Sequence, residues 1–168
     1  MNIQEVFASQ YAAGFAMLKN AVSACHDELW NSARDKNRFW RIAYHALFYT
    51  DLYLSADEKH FIPWTHHHEN YQILGDKTPW PPHHAVKIGE PYTQNEVLEY
   101  CARLQNTLAE RINALDFERP SGFCWLPFNK LELQMYNIRH LQHHAGQLID
   151  RLRERQGSGI GWIGKGVV

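Results

Sequence analysis

The sequence predicts an all-α protein, a four-helix bundle with one long crossover loop between its second and third helices. Four proline-free stretches space their apolar residues three and four apart, the period of an amphipathic helix. No stretch alternates apolar and polar residues convincingly, as a half-buried strand does. Between the second and third helical stretches, residues 56–92 carry Pro63, Pro79, Pro81, Pro82 and Pro91. Proline fixes φ and removes a donor, so that density forbids a long helix.

Each element has its own signal. Residues 3–29 place Ile3, Phe7, Gly14, Leu18, Ala21 and Cys25 near heptad spacing, with Asn2 as a cap. Trp30-Asn31-Ser32 breaks that pattern. Ser32 followed three residues later by Asp35 is a carboxylate form of a helix start, which predicts a second helix over residues 33–55. The loop that follows holds Trp64, Tyr71 and Trp80 and the runs His66-His67-His68 and His83-His84. Aromatics in so long a connection predict that it packs down, as a cover over one end of the bundle.

Thr93 and Glu96 form a capping box, after which Val97, Cys101, Leu104, Leu108, Ile112 and Leu115 keep a/d spacing through a third helix. Arg119-Pro120-Ser121-Gly122 ends it, and the apolar linker Phe123-Cys124-Trp125-Leu126-Pro127-Phe128 needs cover. Asn129 with Glu132 caps the fourth helix, and Gly157 stops it. Residues 1–156 read as a single bundle domain. Residues 157–168 form a glycine-rich tail, whose Trp162 and Ile163 predict that it lies back along the bundle.

The fourth helix carries the chemistry. Leu133, Asn137, His140, Leu141, His144 and Leu148 share one stripe, so two imidazoles one turn apart are aimed toward the core and can reach one ion. His143 lies off the stripe. A third candidate is His45, on a stripe with Arg41, Phe48 and Leu52 of the second helix. Three core-facing histidines need three buried partners unless they hold a metal. A three-nitrogen set leaves coordination positions open, as catalytic sites do.

Composition narrows the function. The chain has 17 Lys+Arg against 18 Asp+Glu, a formal net charge of -1, so it lacks the basic field that attracts nucleic acid or anionic membrane. Neither an export signal nor a membrane span is predicted. Cys25, Cys101 and Cys124 are widely separated with no Cys-x-x-Cys pair, against a disulfide framework or thiolate zinc cluster. Inert thiols in a cytoplasmic protein are the expectation.

A bundle of this order, with an aromatic-flanked histidine in the second helix and His-x-x-x-His followed by Gly146-Gln147 in the fourth, resembles the DinB-like family over nearly its whole length. The resemblance implies a metal held by His45, His140 and His144, zinc or nickel being the usual ions, and a homodimer. It also implies a small-molecule substrate and, by analogy with thiol S-transferases and a thiol-dependent isomerase, a low-molecular-weight thiol as cofactor. Relatives that use iron with His-x-x-x-His-x-Glu carry a glutamate where this chain has Gly146, which sets that branch aside.

Two classes of function follow: a metalloenzyme that activates a thiol or water, and a non-catalytic metal-binding or interaction module, as in a stress response. Asn137 and Gln147, each three residues from a ligand candidate, are placed to orient an imidazole or a substrate. The loop histidines read as surface, because adjacent residues cannot converge on one ion without unusual turns. Trp40, Phe48 and Tyr49 read as core.

Overall fold

The computed structural model describes residues 2–167. Asn2 starts the chain's first helix: its Oδ1 accepts from the backbone N–H of Gln4 at 3.1 Å and of Glu5 at 3.4 Å, satisfying donors that the first turn leaves free. Helix α1 runs Ile3–Ala24 and buries Phe7, Tyr11, Phe15, Leu18 and Val22 along one stripe. It stops short of the expected Leu29. Its last carbonyls are taken by amides from other helices, Gln94 Nε2 donating to Cys25 O at 3.0 Å and Gln156 Nε2 to Ala24 O at 2.9 Å. A one-turn helix, α2 (Asp27–Trp30), follows.

The second long helix, α3, spans Phe39–Tyr53 and begins later than its sequence signal. Ser32 and Asp35 do not cap it. Asp35 instead faces Arg151 at 3.7 Å and Arg155 at 3.4 Å, while Arg151 Nη1 donates to Asn37 O at 2.6 Å. Residues 31–38 are therefore held as a non-helical bridge by side chains of a distant helix.

Helix α4 (Gln94–Asn113) opens with the complete capping box, Thr93 N to Glu96 Oε2 at 2.7 Å and Glu96 N to Thr93 Oγ1 at 3.2 Å. Helix α5 (Lys130–Gln156) opens on Asn129, whose Oδ1 accepts from Glu132 N at 2.8 Å, and closes at Gly157 with φ 67°. Both α1 and α3 lie against α4 and against α5, which makes the four-helix bundle. Gly14 lets α1 and α5 approach: a Cβ there would sit 2.9 Å from Leu141 Cδ2.

The connection from α3 to α4 is pinned by aromatics rather than helix. Trp64 stacks on Tyr100 of α4 with centroids 4.7 Å apart, Tyr92 meets Tyr44 of α3 at 4.7 Å, and Tyr71 meets Trp40 at 5.6 Å. It packs along the side of α3 and the first turns of α4 instead of capping an end. Phe123 of the linker finds cover against Tyr53 at 5.2 Å. The tail returns along α1, with Gly166 N donating to Ser9 O at 3.1 Å.

A buried carboxylate braces α3 against α4. Asp51, 1% exposed, accepts from Tyr100 OH at 2.7 Å, Arg103 Nη1 at 3.1 Å and Arg111 Nη1 at 2.6 Å. Both its oxygens are satisfied, the condition on which a buried charge is tolerated.

Candidate metal centre

Helices α3 and α5 are neighbours, and their facing stripes bring His45 of α3 to His140 and His144 of α5. The three rings are mutually close, with centroids 4.9 Å apart for His45 and His140, 4.6 Å for His45 and His144, and 4.6 Å for His140 and His144. One nitrogen of each lies within 4.8 Å of the others, and the group could hold a metal ion. Imidazole nitrogens about 2.0–2.1 Å from a tetrahedral ion stand roughly 3.4 Å apart, a spacing comparable to that of this group.

Hydrogen bonds decide which nitrogens are free. His45 Nδ1 lies 2.6 Å from the Gln72 carbonyl, which only accepts, so Nδ1 carries the proton and Nε2 the lone pair. His144 Nδ1 lies 3.1 Å from Gln147 Oε1, which accepts in the same way and leaves Nε2 free. Carbonyl partners on the far ring nitrogen are how proteins orient histidine ligands. His45 Nε2 stands 3.0 Å from His140 Nε2, and two lone pairs at that separation repel unless a proton or cation lies between. His140 Nδ1 is buried with no protein partner in either tautomer, so it is the close approach of the two Nε2 atoms that favours a cation between them. The donor set fits a metal.

Electrostatics favour the neutral, ligating form. Burial pushes the His45 pKa down to about 3, with repulsion from His144 adding to it and the Gln72 bond opposing. Burial likewise pushes His140 down to about 3, helped by His144 and His143. His144 is lowered by burial against the opposing bond to Gln147. All three offer lone pairs at neutral pH.

The surroundings correct several expectations. The trio does not face the bundle's centre: it sits in the α3–α5 groove, with His144 buried and His45 and His140 half-buried. Tyr49, expected in the core, is half-buried beside it, its ring 4.8 Å from His45 and 5.7 Å from His140. Trp40 and Phe48 are core residues. Asn137 is fully buried and donates to Thr50 O at 3.2 Å rather than to an imidazole. His143 is exposed and outside the group.

The loop histidines are dispersed. His67 Nδ1 meets Tyr44 OH at 2.6 Å, His66 stacks on Trp64 at 4.9 Å, and His83 Nδ1 meets Thr78 O at 3.0 Å. Cys25 and Cys101 are buried, each thiol pushed up to about 12 chiefly by burial, and Cys124 is exposed. The functional group missed in the sequence is the Gln72 carbonyl. Main-chain atoms carry no residue signature, so only the fold reveals it.

A helical bundle with three neutral histidines grouped across two helices is compatible with a metal-binding protein. A profile described as the DinB superfamily matches residues 10–148, and the chain belongs to that superfamily. Comparison with curated proteins and with solved structures gives no match. Among the described residues, no helix is long and apolar enough to cross a membrane.

Proposed function

We propose that the chain is a metal-dependent enzyme in which His45, His140 and His144 hold one divalent ion, zinc or nickel, and that it transfers or adds a low-molecular-weight thiol, or activates water, at a small-molecule substrate. The observation that carries this reading is the pair of Nδ1 protons fixed on Gln72 O and Gln147 Oε1, which aims two lone pairs into a group of three. A divalent ion held by neutral ligands keeps its charge, lowering the pKa of a thiol or water bound to it.

The chain's own residues set the conditions around that chemistry. His45 and His140 each keep partial exposure to solvent, and no carboxylate belongs to the group to neutralise the charge. Tyr49 is tilted 59° against His45 and meets His140 edge-on, while Tyr136 stacks over His140 with centroids 6.5 Å apart, so a substrate meets aromatic walls. Residues 1–156 act in this reading as one domain of a cytoplasmic homodimer with no nucleic-acid or membrane partner. The near-neutral charge supports the absence of nucleic acid, and the half-exposed Trp125 on the linker supports the dimer.

The test is a conjugation screen of glutathione, bacillithiol and mycothiol against monobromobimane and maleylpyruvate-like electrophiles, comparing the metal-loaded wild type with His144→Ala. The reading requires turnover that His144→Ala abolishes. Turnover indifferent to the metal overturns the enzyme reading, and a metal-loaded protein inert throughout the screen supports the non-catalytic metal-binding or interaction module instead.

A further inference from the structure

Arg41 lies one turn before His45 on α3, so the two side chains leave the same face of the helix. Its Nη2 donates to the carbonyls of Ile73 and, at 3.5 Å, of Gly75. Between Arg41's anchor and His45 lies Gln72, whose own carbonyl takes the His45 Nδ1 proton. One face of α3 thus grips successive carbonyls of one loop segment, a guanidinium holding residues 73 and 75 while an imidazole holds residue 72.

This segment has little regular structure to hold it. Among the described residues no strand pairs with residues 72–75; the nearest ladder is the isolated bridge between Lys77 and Ala85. Tyr71 anchors it on one side, packing on Trp40 and donating to Glu90 O at 3.0 Å. On the other side Arg41 clamps residues 73 and 75, and beyond them Asp76 O accepts from Val86 N at 2.9 Å. Arg41 Nε and Gln72 Oε1 are both buried without a protein partner, so the side chains at this junction are held for their other contacts.

We infer that Arg41 is a positioning residue for the metal centre: it fixes the 73–75 carbonyls on α3, keeps the Gln72 carbonyl in line with His45 Nδ1, and thereby sets which nitrogen of His45 is offered to the ion. This deepens the proposed metal-binding reading and rests on it. Lysine's three-donor point charge can reach a carbonyl from the same turn, whereas methionine keeps the stem and loses every donor.

The experiment compares wild type, Arg41→Met and Arg41→Lys by two readouts. In metal-free protein, ¹⁵N imidazole shifts report the His45 tautomer. Wild type and Arg41→Lys are expected to show a proton on Nδ1, and Arg41→Met a mixture of both tautomers. In cobalt(II) titrations, Arg41→Met is expected to bind 10–100-fold more weakly, the usual loss for a residue that orients a ligand, with an altered visible spectrum, and Arg41→Lys to recover most of the loss. Should Arg41→Met lose its helical signal, Arg41→Gln, polar but too short to reach the carbonyls, carries the same readouts. Wild-type tautomer and cobalt affinity in folded Arg41→Met, or in Arg41→Gln where it replaces it, overturn the inference. Failure of wild type itself to bind cobalt overturns the metal reading, and the tautomer still decides the role of Arg41.

Discussion

Removing the two most perturbed imidazoles is expected to make the metal-free protein more resistant to acid. His45 and His140 have folded-state pKa values near 3 against an ordinary 6.5, because burial penalises their charged forms. As pH falls below 6.5 the unfolded chain takes up protons at both positions while the folded chain does not. Stability fully present above pH 6.5 is therefore lost progressively down to about pH 3. Each group contributes a slope of up to roughly 1.4 kcal/mol per pH unit, so the pair costs at most about 3 kcal/mol per unit within the window.

Against a total stability of roughly 5–15 kcal/mol, one pH unit is a large fraction. The perturbation is the double variant His45→Gln/His140→Gln, which keeps polar side chains that do not titrate. The assay is urea unfolding at pH 7, 6 and 5 in the presence of a chelator. With a urea m-value of about 2–3 kcal/mol per molar, the wild-type midpoint is expected to fall by about 1 M more between pH 6 and 5 than that of the double variant. Equal midpoint shifts refute the reasoning, because they mean that water already solvates the imidazoles or that the rings part on protonation at no cost.

Asp51→Ala is expected to cost about 3 kcal/mol in urea unfolding, since it leaves the buried Tyr100 OH and the partly buried Arg111 Nη1 without their acceptor; a loss below 1 kcal/mol contradicts the bracing role. Gly122→Ala is expected to lower the thermal midpoint by several degrees: Gly122 has φ 85°, and a Cβ there would meet Ala56 O at 2.6 Å, strain of order 1–3 kcal/mol. An unchanged midpoint rejects that account. Gln147→Leu is expected to weaken metal binding by about tenfold through loss of the His144 Nδ1 acceptor, measured by competition with a chromophoric chelator; unchanged affinity rejects the orienting role.

Much of the bundle was legible because its signals are local. The Thr93 and Glu96 box, the Asn129 cap and the Gly157 stop act within one helical turn, and the a/d residues Val97 to Ile112 bury on α4 as their spacing requires. The Ser32 and Asp35 signal misled because Asp35 is claimed by Arg151 and Arg155 from the far end of the chain. The break after Ala24 was invisible for a similar reason: its carbonyl partners are Gln94 and Gln156. Periodicity put the three histidines on facing stripes, yet it could not place the meeting point at the half-open edge of the α3–α5 groove. Asn137 shares the stripe of His140 and still turns inward to Thr50 O, because three residues of helix rotate it away from the groove.

The most direct measurement is a metal titration of wild type, His140→Ala and His143→Ala, purified without a nickel column and read by calorimetry and metal analysis with zinc and with nickel. The account predicts one divalent ion per chain in wild type and in His143→Ala, and binding at least 100-fold weaker in His140→Ala. An ion retained by His140→Ala and lost from His143→Ala, or no binding by the wild type, contradicts it.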